Sequence, residues 1–584
     1  MPEAAGGGFA PGPLREPPSP ATGQGARIIE EAFLSYIKEF QRYTVAARLR
    51  FEAQDWGGIL QDSSERLDAY SELASRAVEG LTALFGPAVR DKSTWCALKP
   101  AFRERVGTRT DLDVAETFFN SITRRIFTTV GVDAEIEFVE SGAVLPDPDE
   151  STQDVAEVFP CNGDLRGAVA RLLRRHEFSV GTADLAGDAA AAARAIESAC
   201  AGDRIDALEM ARWVFFRNKG AYLIGRLLTS SGQRPLAIAL GNASGRVGID
   251  AVLATEDEVS IVFSFTRSYF FVDAPRPAAL VSFLRSIMPR KPVSELYSAI
   301  GHSKHGKTVF HRDLLDHLAT TGERFDFAPG CRGMVMIVFA MPGFDAVFKV
   351  IRDHFAPPKC MTRQQVKDKY RLVFRHDRAG RLIDAQEFEF LRFERSRFTE
   401  ALLDELATDA LEAVEITADA VIVRHVYTER KVTPLDIYLP AAKPDAARAA
   451  LLEYGNALRD LAATNIFPGD LFFKNFGVTR HGRLVFYDYD ELALLTDCNF
   501  RPIPLPRDEQ EELAAEPWYS VGPADYFPEE FPRFLPVGAE HRQAFLAAHG
   551  ELFEPEFWNA QQQRHRAGIV PDLYPYPTAR RLRP

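Results

Sequence analysis

Apolar residues recur every three or four positions through much of the first 300 residues, a spacing typical of amphipathic α-helices. This spacing predicts helices over 28–51, 68–85 and 184–201, the last of them rich in alanine. Residues 251–272 instead alternate around an acidic segment, which predicts two strands joined by a turn. The N-terminal half is therefore predicted to be mainly helical.

The pattern changes after about residue 321. Residues 325–351 are rich in apolar and β-branched side chains, and Pro-Gly pairs at 329–330 and 342–343 interrupt them, which predicts a hairpin and a further strand. An α+β C-terminal half follows, and the boundary between the halves is predicted near 305–325. The remaining predicted elements of this half are a strand pair over 418–439 and helices over 363–374 and 445–463.

Composition adds limits on size and class. A chain of 584 residues has room for three or four domains of about 150 residues, or for two large lobes. Acidic residues outnumber basic ones by 82 to 69, for a net charge of −13. That balance argues against nucleic-acid and membrane-surface partners, which require basic patches. The six cysteines have no metal-ligand spacing and are interpreted as reduced thiols.

The N-terminal end contains no targeting signal. Residues 1–25 hold six glycines, six prolines and no apolar core, which predicts a disordered tail rather than a signal peptide. The longest apolar stretches fall short of the ~20 residues that span a bilayer. We expect a cytoplasmic protein.

Two motif matches are interpreted as coincidental. Residues 301–308 (GHSKHGKT) satisfy the phosphate-binding P-loop pattern, but the preceding residues have helical spacing instead of forming a buried strand. We favour a basic loop between helices. His311, Arg312 and Asp313 spell the H-R-D of a protein-kinase catalytic loop, without an asparagine five residues after the aspartate. We favour a helix start there.

The C-terminal half carries a stronger set of residues. Asp470 and Asn475 are spaced as in the kinase D-x-x-x-x-N loop, where the aspartate orients the accepting hydroxyl and the asparagine binds metal. A turn and a strand over 483–487 then lead into Asp488, 18 residues after Asp470. Each element is weak alone, but the ordered set predicts a phosphotransferase with the kinase fold.

Upstream residues fit the same plan. Residues 328–334 form a tight turn between apolar segments, which could bring backbone amides near phosphate oxygens. Lys349 follows within a predicted strand, where a buried cation needs an anionic partner such as a nucleotide phosphate. Taken alone, Lys349 is better explained as an edge-strand lysine whose amine reaches solvent. In order with Asp470, Asn475 and Asp488, it favours the kinase interpretation.

At this point the sequence resembles the isocitrate dehydrogenase kinase/phosphatase family. The resemblance covers roughly residues 30–575. It is carried by strings such as APGCRGMVMIVF, VFKVIRDHFAPPK, AATNIFPGDLFFKNFGVTRHGRLVFYDYDE and, in the N-terminal half, ARWVFFRNKGAYLIGRL. The fold class that it implies is α+β, a helical N-terminal regulatory domain plus a bilobal protein-kinase-like C-terminal domain. The predicted domains are a tail at 1–25, a regulatory domain at 26–315 and a catalytic domain at 316–584.

The resemblance also implies an activity and its partners. One enzyme would phosphorylate and dephosphorylate a serine of isocitrate dehydrogenase, controlling flux between the tricarboxylic acid cycle and the glyoxylate bypass. ATP with Mg²⁺ or Mn²⁺ would serve a single site for both reactions, and AMP would act as allosteric effector on the regulatory domain. The Pro- and aromatic-rich residues 517–536 resemble the family's contact to its substrate protein. The oligomeric state stays open, with a homodimer as one option.

Individual positions acquire roles from the same resemblance. Asp384 and Asp470 match catalytic residues, and Asn475 and Asp488 match metal ligands. Cys331 stands where an aliphatic residue is expected, which backbone-mediated phosphate binding should tolerate. The remaining matches are nucleotide-binding positions, namely Ala328, Pro329, Gly330, Cys331, Arg332, Gly333, Met334 and Lys349.

Asp384 has a plainer interpretation from the residues themselves. With Glu387 three residues later, it reads as a helix N-cap with a capping box. The family match instead suggests a carboxylate that activates the water attacking phosphoserine, or that orients nucleotide phosphates. Glu387 and Glu389 are candidates for the partner of Lys349.

Two rival functions remain. Gly469 and Asp470 with Asn475 also resemble the loop of aminoglycoside and choline kinases, which phosphorylate small molecules. A catalytically inactive, nucleotide-regulated binding protein is the second rival. We rank it low because the polar residues expected of a kinase are present.

Overall fold

The computed structural model describes residues 19–139, 145–243, 245–265, 268–357, 359, 361–376, 378–507 and 518–582. Within those residues no helix has the length and apolar character needed to cross a bilayer. Most of the predicted tail lies outside the described residues. Its last part is corrected, because the first helix begins at Pro20 and includes residues 20–25.

The helices of the described residues are α1 Pro20–Glu52, α2 Trp56–Phe85, α3 Lys92–Val106, α4 Leu112–Ile126, α5 Pro148–Val155, α6 Leu165–Arg175, α7 Leu185–Cys200, α8 Glu256–Val262, α9 Pro277–Ile287, α10 Val293–Ala299, α11 Ser303–Thr320, α12 Arg363–His376, α13 Glu400–Asp409, α14 Leu435–Ala441, α15 Pro444–Ala463, α16 Ala539–His549 and α17 Pro555–Arg566. The predicted helices at 28–51, 68–85, 184–201, 363–374 and 445–463 are confirmed.

The strands are β1 Ala156–Pro160, β2 Ile205–Ala211, β3 Phe215–Arg217, β4 Gly220–Thr229, β5 Gly232–Gly241, β6 Gly248–Leu253, β7 Asp326–Phe327, β8 Met336–Ala340, β9 Ala346–Ile351, β10 Ala385–Glu394, β11 Val414–Ile416, β12 Ala420–Arg430, β13 Thr433–Pro434, β14 Ile466–Phe467, β15 Phe476–Val478, β16 Leu484–Phe486, β17 Ala493–Leu494, β18 Asn499–Phe500 and β19 Asp525–Tyr526.

The chain forms two compact units. The first comprises Met1–Glu39 and Asp68–Gly142. Its described part is helical, and aromatic side chains fill its core. Tyr36 stacks on Phe118 at 6.0 Å, and Trp95 meets Phe119 edge to face at 5.5 Å. This unit is therefore a small helical bundle held by aromatic packing.

The second unit comprises Phe40–Leu67 and Ala143–Pro584. Its N-terminal part contains an antiparallel sheet in the order β1-β2-β4-β5-β6, with β3 paired to β4. The sequence analysis missed most of this sheet, because β4, β5 and β6 are buried on both faces and lack the polar alternation of a half-exposed strand.

The predicted strand pair at 251–272 is wrong in its second half. Residues 251–253 do belong to β6. The acidic segment that follows begins helix α8 instead of forming a turn. Thr255 and Glu258 form a capping box, in which each side chain accepts a hydrogen bond from the other residue's backbone N–H.

The C-terminal part has two lobes. The smaller lobe is an antiparallel sheet in the order β10-β12-β9-β8-β7, with β11 paired to β12. The predicted hairpin and further strand at 325–351 are confirmed as β7, β8 and β9. Leu314 of α11 packs in the core of this sheet, so the predicted domain boundary at 315/316 falls inside a helix that belongs to both sequence halves.

The larger lobe is built on α15. Leu451, Tyr454, Leu458 and Leu461 are buried along one face of this helix, at the spacing that the sequence predicted. The strands β13, β15 and β16 form a small sheet beside it. The predicted strand pair at 418–439 is correct for β12, but the second strand is only the short β13, which pairs with β15, and residues 435–441 form α14.

Candidate functional site

A cavity of about 180 Å³ opens between the two lobes. We call it the central cavity. Its roof is formed by β8, β9 and the loop that joins β7 to β8, and its floor by the segments before and after the hairpin β15–β16. Every predicted site residue except Asp384 lines it, namely residues 328–334, Lys349, Asp470, Asn475 and Asp488. Residues from distant segments of the chain therefore meet around one cavity, as their order in the sequence predicted.

Lys349 is held inside the sheet by an ion pair. Its Nζ lies 2.7 Å from Oε2 of Glu429 and donates to the backbone oxygen of Tyr487 at 2.7 Å. Lys349 is 6% exposed and lies on β9, between β8 and β12. The edge-strand interpretation is therefore wrong, because the strand is interior and the amine is buried.

Glu429 was not among the candidates for this partner. Glu387 and Glu389 were named instead, and both are corrected here. Glu387 accepts from Nε2 of His425 at 2.7 Å on the strand pair β10–β12, while Glu429 lies at the end of β12, diagonal to Lys349. Burial raises the pKa of Glu429, and the charge of Lys349 opposes that rise.

The segment from Asp470 to Asn475 is fixed by a tight turn. Gly469 has a φ of +77°, and a Cβ at this position would lie 2.3 Å from the backbone oxygen of Glu491, so glycine is required. The Oδ1 of Asp470 accepts from the backbone N–H of Phe472 at 3.0 Å. Asn475 is 2% exposed, and its backbone oxygen accepts from Tyr487 N–H at 3.1 Å, which ties it to the residues before Asp488.

Acidic side chains concentrate at the inner end of the central cavity. Burial, followed by the neighbouring charge of Asp490, raises the pKa of Asp488 to about 7. Lys359 holds Asp490 at 2.8 Å and Glu491 at 2.6 Å. Burial also raises the pKa of Asp470. A cation placed among these groups would favour their ionised forms.

The loop over residues 328–334 approaches the central cavity through its backbone. Gly333 is required, because a Cβ there would lie 2.6 Å from the backbone oxygen of Met336. Arg352 fixes the loop from behind, donating from Nε to the Gly333 oxygen at 3.1 Å. Cys331 is exposed and lines the cavity with its neighbours. The predicted tolerance of cysteine at this position stays a prediction.

The two coincidental motifs lie elsewhere. Residues 301–308 follow helix α10, not a strand, and from Ser303 onward they form the start of α11, so the predicted loop is mostly helix. Lys307 lies 4.6 Å from the ring of Phe388. His311, Arg312 and Asp313 also belong to α11, well past its first turn, so the predicted helix start is misplaced.

Asp384 lies apart from the other predicted residues. It immediately precedes β10, so the helix-cap interpretation is wrong, because the chain enters a strand. Its side chain lines a different cavity of about 270 Å³, which we call the second cavity. That cavity lies between α8, α10 and α11 on one side and, on the other, the small lobe and the hairpin β15–β16 of the larger lobe. Glu429, Arg430 and Val432 line both cavities.

Further functional candidates escaped the sequence analysis. Glu429 could have been found as a lone acid in the apolar run of β12. Tyr370 of α12 and Asp490 carry no motif that distinguishes them. Asp436, at the start of α14, lines the central cavity, and its Oδ1 is buried with no hydrogen-bond partner among the described residues. Only the folded chain brings these residues beside Lys349 and Asp488.

The donor set fits a cation that is shared with a ligand. In the described part of the chain, no group of three or more His, Cys, Asp or Glu side chains could hold a metal by itself. Magnesium sites in phosphotransferases commonly use one or two protein oxygens plus substrate phosphates. Asn475 and Asp488 could supply such oxygens, and Lys349 could supply a phosphate contact. The arrangement therefore suits phosphoryl transfer.

Comparison with known proteins matches both halves of the chain. Residues 26–322 match the family model described as isocitrate dehydrogenase kinase/phosphatase (AceK), regulatory domain, and residues 323–578 match the model of the AceK kinase domain. An isocitrate dehydrogenase kinase/phosphatase of Anaeromyxobacter sp. (strain Fw109-5) is 47% identical over 569 residues, covering 97% of this chain and 99% of the relative. One from Anaeromyxobacter dehalogenans (strain 2CP-C) is 48% identical over 573 residues, covering 96% and 97%.

Proposed function

The chain belongs to the isocitrate dehydrogenase kinase/phosphatase family, and from this premise we propose that its central cavity carries out both reactions on one protein substrate. Membership makes it a bifunctional enzyme, a protein kinase and a phosphoprotein phosphatase that uses ATP. The substrate that the relatives' name indicates is isocitrate dehydrogenase. Phosphorylation and dephosphorylation of its serine would set the flux between the tricarboxylic acid cycle and the glyoxylate bypass.

The kinase step follows from the order of groups around the central cavity. Lys349 and the backbone of residues 328–334 hold the phosphates of ATP. Asp470 accepts a hydrogen bond from the serine hydroxyl and aims it in line with the γ-phosphoryl group. The raised pKa of Asp470 suits an acceptor that must take up a proton as the hydroxyl attacks.

Asp436 supplies a hydrogen-bond acceptor that suits the ribose of the nucleotide. Within the described part of the chain its buried Oδ1 has no hydrogen-bond partner, a costly state unless a ligand supplies a donor. Ribose carries two such hydroxyl donors. We assign Asp436 to the ribose end of the cavity, with Val347 and Val432 as apolar wall.

Asn475 and Asp488 would hold the divalent cation, Mg²⁺ or Mn²⁺. Such an ion, when bound, neutralises charge on the phosphate oxygens. The residues of the chain prepare its position: the buried Asn475 is tied through its backbone to Tyr487, and Lys359 pairs with Asp490 at 2.8 Å. The neighbouring charge of Asp490 adds to burial in raising the pKa of Asp488, and a bound cation would favour the ionised carboxylates.

The phosphatase step needs an activated water at the same phosphoryl position. The family resemblance assigns Asp384 to the active site, and we retain this assignment as a proposal. Asp384 is among the residues that line the second cavity, and its charge acts on Glu429. From there it could take a proton from water that reaches the phosphoserine past Glu429.

The second cavity is our candidate for the AMP site. Phe263, Phe265, Phe310 and Phe344 offer an aromatic surface for a base, and Arg430 and Arg483 offer cations for a phosphate. Since Glu429 and Arg430 are neighbours on β12, a ligand here bears on the strand that carries the partner of Lys349. An effector of this kind acts only if it binds one arrangement of that strand more tightly.

The described part of 517–536 is our candidate contact for the protein substrate. Trp518 donates from Nε1 to the backbone oxygen of Pro504 at 3.1 Å, and Tyr519 packs on Phe527 at 5.1 Å. Val521 is 56% exposed. Exposed apolar side chains on a scaffold of fixed aromatics suit protein recognition better than small-molecule binding.

One observation carries the proposal. Asp470 and Asn475 of the kinase-like loop, the buried ion pair of Lys349 and Glu429, and Asp488 after strand β16 all line one cavity. The test mixes purified protein, isocitrate dehydrogenase, Mg²⁺ and γ-labelled ATP, and then adds AMP. We expect label on a dehydrogenase serine with loss of its activity, reversed by AMP. Label on a small alcohol or aminoglycoside but not on protein would instead support the small-molecule rival. ATP binding without any transfer would support an inactive binding protein.

A further inference from the structure

The carboxylate partner of Lys349 comes from an unusual place. In protein kinases the glutamate that pairs with this lysine lies on a helix packed against the small-lobe sheet. Here Glu429 lies on β12, and α12, one of the helices that pack against the sheet, presents Tyr370 to Glu429. The tyrosine is 2% exposed, so its contacts belong to the interior of the site.

Tyr370 contacts both halves of the catalytic arrangement. Its hydroxyl donates to Oε1 of Glu429 at 3.2 Å and lies 3.4 Å from Sδ of Met336, the weaker acceptor of the two. Its ring meets that of Tyr489 edge to face at 5.1 Å, and Tyr489 directly follows Asp488. Tyr370 of α12 therefore contacts both Glu429, the partner of Lys349, and Tyr489, which follows the proposed metal ligand Asp488.

The two oxygens of Glu429 have separate partners. Oε2 pairs with Lys349, and Oε1 accepts from Tyr370. A buried carboxylate with only one partner leaves an oxygen unsatisfied and is free to turn about its side-chain torsions. The second contact therefore decides whether Glu429 keeps Lys349 at the phosphate end of the central cavity.

We propose that Tyr370 is a positioning residue for phosphoryl transfer: its hydroxyl holds Glu429 in the orientation that keeps Lys349 directed into the central cavity. This inference rests on the proposed function, because it takes the central cavity as the transfer site. In this arrangement α12 supplies a hydroxyl donor where the protein-kinase helix supplies the carboxylate itself.

Tyr427, on β12 two residues before Glu429, offers a matched control. Its ring stacks on Tyr370 at 3.8 Å, nearly parallel, and it is 1% exposed. The described hydrogen bonds to Glu429 include none from Tyr427. Tyr427→Phe therefore removes a hydroxyl from the same stacked pair without touching the contact in question.

The test is a double-mutant cycle on the kinase reaction. We expect Tyr370→Phe to lower kcat about tenfold with KM for ATP within about twofold, and Tyr427→Phe to change neither. Glu429→Gln should lower kcat at least as much as Tyr370→Phe, and adding Tyr370→Phe to it should cost nothing more, because the hydroxyl acts through Glu429. Melting temperatures should stay within about 3 °C of the wild type.

Three results would overturn the inference. They are wild-type kcat in Tyr370→Phe, an additive loss in the double variant, or an equal loss in Tyr427→Phe. If Tyr370→Phe melts far lower, 3-fluorotyrosine at position 370 replaces it, and this residue, which keeps ring and hydroxyl, must hold kcat within about twofold. A wild-type enzyme without phosphoryl transfer would contradict the proposed function instead.

Discussion

The central cavity and the second cavity share one wall but differ in how they are built. The central cavity gathers charged and polar groups from segments far apart in sequence, and among them Asp470, Asn475 and Asp488 have a motif-like spacing. The second cavity has a mainly apolar surface, and its lining residues, Asp384 among them, come from α8, α10, α11, the small lobe and the hairpin β15–β16. Glu429 and Arg430 belong to both. The comparison shows that a cavity rich in charged groups and one with a mainly apolar surface can share neighbouring residues of one strand.

The largest effect is expected from removing a proposed metal ligand of the central cavity. Asp488→Ala should lower both kinase and phosphatase activity by about 10³-fold or more, because several kcal/mol of charge stabilisation are lost. Removal of divalent cations with a chelator should have the same effect on the wild type. Radiolabel transfer measures both reactions.

Asp497→Ala is the matched control, since Asp497 is exposed and outside the central cavity. We expect it to behave as the wild type. Kinase activity retained by Asp488→Ala at ordinary Mg²⁺ would contradict the assignment of Asp488 as a ligand of the divalent cation.

A second variant distinguishes a catalytic role of Asp384 in dephosphorylation from a role in the response to AMP. Asp384→Asn should lower phosphatase activity about 10²-fold, the usual contribution of a general base, while kinase activity falls less than about fivefold. Parallel assays of labelled and unlabelled isocitrate dehydrogenase measure the split. If only the response to AMP changes, Asp384 is an effector-site residue and its catalytic assignment fails.

The third variant sharpens the assignment of the central cavity to a ribonucleotide. Asp436→Ala should raise KM for ATP about tenfold, the cost of a lost hydrogen bond to a charged acceptor, and should barely affect KM for 2′,3′-dideoxy-ATP. Steady-state kinetics with both nucleotides provide the comparison. Equal losses with the two nucleotides would show that Asp436 does not contact the ribose.

The smallest effect is expected at the second cavity. Glu295 of α10 pairs with the buried Lys291 at 3.0 Å and lies 3.5 Å from Arg430. Glu295→Gln should weaken the response to AMP about threefold while kinase activity without AMP stays within about twofold, because Arg430 loses one contact to the helix. An AMP titration of kinase activity measures this. An unchanged AMP titration would contradict the proposal that Arg430 contributes to the response to AMP.

Prediction from sequence succeeded where chemistry leaves a local pattern. The spacing of Asp470, Asn475 and Asp488 and the Pro-Gly breaks around β8 and β9 each follow from nearby residues. Glu429 could be noticed only as the single acid in the apolar run of β12, and its pairing with Lys349 arises only on folding. Asp436 has no local pattern, because folding alone brings it to the central cavity. The buried sheet β4-β5-β6 was missed for a different reason: strands covered on both faces lose the alternation that identifies them.

The most direct test of the two-cavity account is an AMP binding measurement by calorimetry, in the presence of Mg²⁺ and a saturating, non-hydrolysable ATP analogue. The account predicts that one equivalent of AMP still binds, because the analogue fills the central cavity and leaves the second cavity open. Loss of AMP binding under these conditions would contradict it, since both nucleotides would then compete for one cavity.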